Sequence, residues 1–248
     1  MADRMNASVT EMKFGITDTH DCAYLAGRTA RNLFLDPVRV PSSDEAMLLT
    51  RAGFRRTGDH LFRPYCPDCD ACVPVRLDVR AFAPRRRHRR IWRKNSDLTI
   101  KVRPPAFRED WYRLYHRYVL TRHPGSDMCP PSRAQFRDFL LSRWSRSLFL
   151  CIYHGPCVLS IAVTDVVSDA AIAVYTFYDT DQTVRSLGIY SILAQASLAR
   201  LCGKRHLYLG YWIDGHARMR YKLDFSPSEQ LMPDGRWVAA DAHAGCRP

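Results

Sequence analysis

The sequence predicts an α+β fold, with a small cysteine-bearing N-terminal domain over residues 1–97 and a larger second domain over residues 98–248. Three observations predict it. Residues 148–153, 158–165 and 170–178 are apolar, β-branched runs separated by short turns, the pattern of an antiparallel meander. Residues 187–202 carry Leu193, Ala194, Leu198 and Leu201 at helical spacing and lead into a further buried run at 206–213. Strand, helix, strand in that order makes the last strand parallel to its predecessor. The first third has a different texture, with three thiols inside seven residues and then a dense basic stretch.

The remaining elements follow in order. The first twenty residues are expected to be loose. Ser43, Asp44 and Glu45 open a helix, with a hydroxyl cap and acids in the first turn, and Gly53 closes it. Arg55-Arg56 and His60-Leu61-Phe62 flank Thr57-Gly58-Asp59, which reads as a hairpin. Residues 73–79 alternate like a strand. Residues 98–102 form another, which Pro104-Pro105 breaks. Residues 107–121 place Trp111, Leu114, Tyr115 and Tyr118 on one helical face, and Pro130-Pro131-Ser132 precedes a second helix over 133–143.

Arg85, Arg86, Arg87, Arg89, Arg90, Arg93 and Lys94 crowd ten residues of a chain whose formal net charge is +12. Pro84 opens a helix at its first position, and no breaker follows before Asn95. On that helix Arg86, Arg89, Arg90 and Arg93 form one stripe. Such a stripe is either a solvated face or a polyanion site, and the positive balance of the whole chain favours nucleic acid. The run lacks the apolar face that a membrane-surface helix needs. No segment approaches the ~20 apolar residues of a membrane span, and the N-terminus has no apolar signal core, so a cytoplasmic protein is expected.

Cys66-Pro67-Asp68-Cys69-Asp70-Ala71-Cys72 spaces three thiols as an incomplete tetrahedron, and Cys22 is the natural fourth. Structural zinc, an iron–sulfur cluster and a merely buried turn all fit that spacing.

Thr183-Val184-Arg185-Ser186-Leu187-Gly188-Ile189-Tyr190 lies between a buried strand and a helix. It resembles the phosphate loop of the GNAT acetyltransferases, where backbone N–H groups at a helix start bind an anion. Arg185 and Gly188 match that loop. Tyr190 replaces a small residue, and its ring is expected to crowd a cofactor pyrophosphate, which argues against coenzyme A.

Six further segments occur in the order of one family: Cys22-Ala-Tyr-Leu-Ala-Gly-Arg-Thr-Ala-Arg31, Gly53-Phe-Arg-Arg-Thr-Gly58, Arg63-Pro-Tyr-Cys66 through Arg76, Val174-Tyr-Thr-Phe-Tyr-Asp179, Tyr208-Leu-Gly-Tyr-Trp-Ile213 and Met219-Arg-Tyr-Lys222. On these the chain resembles the bacterial aspartate/glutamate leucyltransferases, relatives of the arginyl-tRNA–protein transferases, from about Cys22 to about Leu231. His216 departs from the Cys or Ser common there. The resemblance implies a GNAT-like domain that transfers an aminoacyl group from charged tRNA to proteins with N-terminal Asp or Glu, marking them for degradation. No cofactor is required for that chemistry, because the donor is already an ester.

Residue roles follow as expectations. Tyr178 and the strand before it supply oxyanion donors, and Asp179 either holds the amine or caps a turn. Arg76 first, then Arg28 and Arg31, pairs with the acceptor carboxylate. Arg86, Arg89 and Arg93 carry tRNA, and Arg185 and Gly188 its terminal phosphates. Tyr211 and Trp212 either stack a base or form a core stripe, and Lys222 meets phosphate. Leucine or arginine as the transferred group is not separable from composition. A non-catalytic RNA-binding zinc protein also accounts for the basic run and the cysteines, but leaves the strand–loop–helix half without a substrate.

Overall fold

The computed structural model describes residues 12–240. Its strands are β1 (Phe14–Ile16), β2 (His20–Asp21), β3 (Thr29–Ala30), β4 (Asn32–Leu35), β5 (Arg55–Thr57), β6 (His60–Pro64) and β7 (Val73–Asp78), then β8 (Thr99–Arg103), β9 (Ser147–His154), β10 (Cys157–Val166), β11 (Ala170–Tyr178), β12 (His206–Trp212), β13 (Ser228–Leu231) and β14 (Trp237–Ala239). The helices are α1 (Ser43–Arg51), α2 (Arg86–Lys94), α3 (Glu109–Arg122), α4 (Arg133–Leu140) and α5 (Leu187–Leu201).

The small sheet runs β1-β4-β6-β5, and β2 pairs only with β3. The large sheet runs β14-β13-β7-β12-β11-β10-β9-β8. It is mixed: β11 and β12 are parallel and their neighbours antiparallel. The α+β reading therefore holds, with two additions. The large sheet draws a central strand, β7, from the first 97 residues, and the short strands β13 and β14 extend its edge. Residues 12–20 are also less loose than expected, because β1 pairs with β4. Residues 1–11 lie outside the described part.

Alternation of side chains along each strand gives the large sheet two apolar faces. Ile152, Leu207 and Leu209 pack under α5 and Ile91 of α2. Phe149, Ile161, Val163 and Phe177 pack under Trp111, Tyr115 and Phe136 of α3 and α4. α1 starts one residue earlier than its sequence suggests: Ser42 is the cap, in a reciprocal capping box with Glu45.

A seam joins the two sheets. Arg56 on β5 donates from Nε to Asp165 Oδ2 at 2.5 Å and from Nη2 to Oδ1 at 2.8 Å, with both side chains 2% exposed. Ser147 and the Leu140 carbonyl accept its remaining N–H groups. The hairpin tip docks on α4 through Gly58, at φ +55°, where a Cβ would lie 1.9 Å from the Asp138 carbonyl oxygen. Only glycine fits there.

Candidate active site

β11 and β12 separate as they run. They pair as Ala170 with His206, Ala171 with Leu207 and Ile172 with Tyr208, and then part. Beyond that point β11 keeps only β10, and β12 keeps β7. Two irregularities accompany the opening: a register shift at Val163/Thr164 in β10 and another between Tyr208 and Gly210 in β12. Gly210 sits at φ +78°, so the bulge that turns β12 away is built on a residue free of the left-handed penalty. The edge of β11 from Ala173 onward has backbone groups without a strand partner on that side.

A cavity of about 1720 Å³ fills the opening. Small-molecule sites run to about 1,000 Å³, so this one has room for two reacting ends. Its floor is Val174, Tyr175 and Tyr178 of β11 facing Leu209, Gly210 and Tyr211 of β12. One side is the start of α5 with Ser186 and Gly188. Another is α4 with the connection before it: Phe139 of α4 meets the Tyr175 ring at 4.8 Å, and Met128 Sδ of the connection lies 3.9 Å from the Tyr175 hydroxyl. The last is N-terminal: Cys22, Ala23 and Tyr24 with Arg55 of β5.

Several expected residues meet here. Tyr178 lines the cavity and packs on Tyr118 at 4.9 Å. A Cβ on Gly188 would stand 3.3 Å from the Tyr178 ring, so that glycine permits the approach of loop to strand. Tyr211 lines it too, with its hydroxyl on the Gly53 carbonyl at 2.9 Å. Ser186 holds φ +53°, a conformation most side chains avoid, at the turn into α5.

Others lie elsewhere. Arg76 is paired with Glu229 at 2.6 Å, donates to the Tyr208 hydroxyl at 3.1 Å and stacks on Trp237 at 4.3 Å, outside the cavity lining. Arg28 and Arg31 are exposed and also outside it; Arg31 donates to Thr19. Asp179 accepts from the Asp181 N–H at 3.2 Å, the turn-capping half of its two readings. Trp212 packs in the core beneath α5. Tyr190 is 3% exposed and its ring meets Trp92 at 5.1 Å, so it does not crowd the loop and carries no weight against coenzyme A.

Arg185 forms a two-pronged pair with Asp97 at 2.9 and 2.8 Å. That loop also touches the basic helix. Lys94 Nζ donates to the Val184 carbonyl and Asn95 Nδ2 to the Arg185 carbonyl, each at 2.9 Å. α2 thus ends at the rim of the cavity. Among the described residues only Arg87 of this helix has a carboxylate partner, Asp224. Arg86, Arg89 and Arg93 are exposed.

Lys222 is the largest departure. The sequence places it on phosphate; in the fold it is 7% exposed, with Nζ donating to the Tyr211 carbonyl. Burial, and then the neighbouring Arg55 charge, push it down to about 7. Arg55, which no sequence argument singles out, has its guanidinium 5.2 Å from the Tyr211 ring and 4.9 Å from the Phe62 ring. The only signal for it was its place in Gly53-Phe-Arg-Arg-Thr-Gly58.

Cys22, Cys66, Cys69 and Cys72 are neighbours. Cys66 and Cys69 form an antiparallel bridge across the turn. Burial, then the charges of Cys22, Cys66 and Cys69, push the Cys72 thiol up to about 12. All four are free thiols. Soft sulfur donors suit zinc or an iron–sulfur cluster, but among the described residues no three His, Cys, Asp or Glu stand in a metal-holding arrangement. No helix among the described residues is long and apolar enough to cross a membrane.

Comparison with known proteins shows the family of the chain. Residues 20–90 match the family model for the N terminus of arginine-tRNA-protein transferase, and residues 110–232 match that for its C terminus. An aspartate/glutamate leucyltransferase of Pseudomonas paraeruginosa is 44% identical over 236 residues, covering 93% of this chain and 98% of that one. One from Pseudomonas fluorescens is 43% identical over 230 residues, covering 93% and 97%. Among solved structures, the C-terminal DUF2156 domain of an Agrobacterium fabrum protein aligns at TM-score 0.45 and 11% identity over 66% of this chain and 50% of that one. L-PGS from Bacillus licheniformis aligns at 0.45 and 8% over 70% and 51%. With near-complete coverage at 44% identity, the chain belongs to the aspartate/glutamate leucyltransferase family, within the arginine-tRNA-protein transferases.

Proposed function

We propose that this protein moves leucine from leucyl-tRNA to the α-amine of a protein beginning with Asp or Glu. The observation that carries this reading is a cavity large enough for two substrate ends, opened in a splayed sheet, with a basic helix at its rim in which, among the described residues, Arg87 alone has a carboxylate partner. Strand, loop, helix and parallel strand around that opening also support a GNAT-like acyltransferase fold.

The donor is an activated ester, so transfer needs no ATP. A free α-amine has a pKa near ~8, leaving a nucleophilic fraction at neutral pH. Its nitrogen attacks the ester carbonyl, and the new C–N bond forms a tetrahedral oxyanion. That intermediate collapses with loss of the ribose oxygen, which takes up the proton the amine gives away. In this reading the oxyanion is taken up by backbone N–H groups along the freed edge of β11, from Ala173 to Tyr178. The cavity contributes mainly by holding ester and amine together, which in oriented pairs supplies ~7–11 kcal/mol. α2 takes the acceptor-stem phosphates, and the α5 N-terminus the last ones before the ester. Using charged tRNA, the reaction belongs in the cytoplasm. It adds leucine in front of the acidic N-terminal residue, which marks the product for degradation.

Incubation with leucyl-tRNA or arginyl-tRNA and an Asp-initiated peptide, followed by mass spectrometry, tests this. A gain of one leucine residue is expected. A gain of arginine, or none with either donor, would overturn it.

A further inference from the structure

A carboxylate that enters a cavity of this depth must meet a fixed cation, because burying it unpaired is very costly. The cavity offers several cations. Arg56 is saturated by Asp165. Arg122 and Arg218 are exposed at the rim, where solvent screens them. Arg55 differs from all three. It forms no ion pair among the described residues, and its Nε is fully occluded with no hydrogen-bond partner. The guanidinium is held only by the faces of Phe62 and Tyr211, which fix its plane without using its donors. Lys222 stands close enough to feel its charge, with Nζ donating to the Tyr211 carbonyl and to Met219 Sδ and lying 3.7 Å from where a Gly210 Cβ would be.

Position separates this pair from the donor. The α5 start forms one side of the cavity, with the end of α2 at its rim, and the tRNA phosphates belong there. Arg55 and Lys222 lie on the N-terminal side, against Tyr211. Gly210 and Tyr211 face the freed edge of β11 across the splay. A peptide amine placed at that edge carries its side-chain carboxylate one or two bonds beyond Cα, within a side chain's reach of β12. We infer that Arg55, with Lys222 beside it, receives the side-chain carboxylate of the acceptor's N-terminal Asp or Glu. This deepens the proposed function and rests on it.

Binding of fluorescent peptides that differ only in Asp or Asn at the first position tests the pocket without turnover. The intact protein is expected to prefer the Asp peptide. Arg55→Gln should weaken Asp-peptide binding by about tenfold or more, the scale of one charge-assisted bond, and bring the Asp/Asn ratio toward one. Arg55→Lys, which keeps the charge, should restore part of the preference, which a mere folding defect would not allow. Leucyl-tRNA binding should be the same in all three proteins. An unchanged Asp/Asn ratio in Arg55→Gln would overturn the assignment, and so would equal loss of tRNA binding, which would put Arg55 in the donor site. Absence of leucine transfer by the intact protein, with the Asp preference still dependent on Arg55, would sink the proposed reaction while leaving the carboxylate pocket standing.

Discussion

Arg55 and Arg56 are consecutive residues of one strand, and alternation sends them into two regions built differently. Arg56 enters the seam between the sheets, where Asp165, Ser147 and the Leu140 carbonyl take up its donors. Arg55 enters the cavity wall, where aromatic faces hold it and no carboxylate answers it. The same contrast separates Arg76, neutralised by Glu229, from the exposed stripe of α2. Charge that the fold uses on itself is paired on the spot. Charge left over marks surfaces that await an anion: a large polyanion at α2, and a single carboxylate in the cavity.

Breaking the seam should have the largest effect. Arg56→Leu leaves Asp165 buried without its cation, a loss of about 3–5 kcal/mol in urea unfolding. The double variant Arg56→Leu/Asp165→Leu should recover much of that, because removing both charges also removes their desolvation cost. If the single variant unfolds at the same urea concentration as the parent, the pair is not holding the sheets together. The α2 stripe comes next. Arg86→Gln/Arg89→Gln/Arg93→Gln should weaken tRNA binding on the order of a hundredfold at physiological salt and flatten the log–log salt slope by roughly 2–3. An unchanged slope would make the stripe a solvated face and leave the cavity as the only anion site of the comparison.

The thiol cluster gives a smaller, purely chemical readout. With its thiol at about 12, Cys72 is almost wholly protonated at pH 8. The intrinsic nucleophilicity of a high-pKa sulfur offsets part of that. Iodoacetamide should therefore label Cys72 a few tens-fold more slowly than the exposed Cys157 and Cys202, as counted by peptide mass spectrometry. Protection of Cys22, Cys66, Cys69 and Cys72 together that a chelator abolishes would show a bound metal in place of burial alone.

Much of the fold was legible because local pattern decided it. The meander, the α5 helix and the parallel β12 follow from runs of Ile, Val and Leu whose period is unambiguous. The Thr57-Gly58-Asp59 hairpin follows from turn chemistry. β13 and β14 were not legible, since four- and three-residue edge strands carry too few side chains to set a period. The site was half legible. Tyr178, Gly188 and Tyr211 were found through the loop and its flanking strands. Lys222 was placed on phosphate and Arg185 on the donor because a charge in a motif does not reveal its partner; that depends on Tyr211 and on Asp97, 11 and 88 residues away in sequence. Arg55 and Arg56 look alike in sequence, and only the docking of β5 beside Asp165 of β10 decides which one is paired.

Arg76 offers the smallest expected effect and the sharpest check. Its position on a strand directly after the cysteine turn made it the first choice for the acceptor carboxylate. In the fold its Nε is held by Glu229, its Nη1 by the Tyr208 hydroxyl, and its face by Trp237. A cation whose neighbour is already a carboxylate gains little from a second one, since the first must be displaced. Arg76→Gln should therefore change the Michaelis constant for Asp-peptides by less than about threefold. Its partly exposed ion pair should contribute about 1 kcal/mol or less to stability, read as a small shift in the urea midpoint. Arg55→Gln, on the same peptides, should move the constant by about tenfold or more. If Arg76→Gln instead raised it tenfold for Asp-peptides and left Asn-peptides alone, a paired cation would be doing the recognising. Leftover charge would then not be the property that distinguishes the cavity from the rest of the molecule.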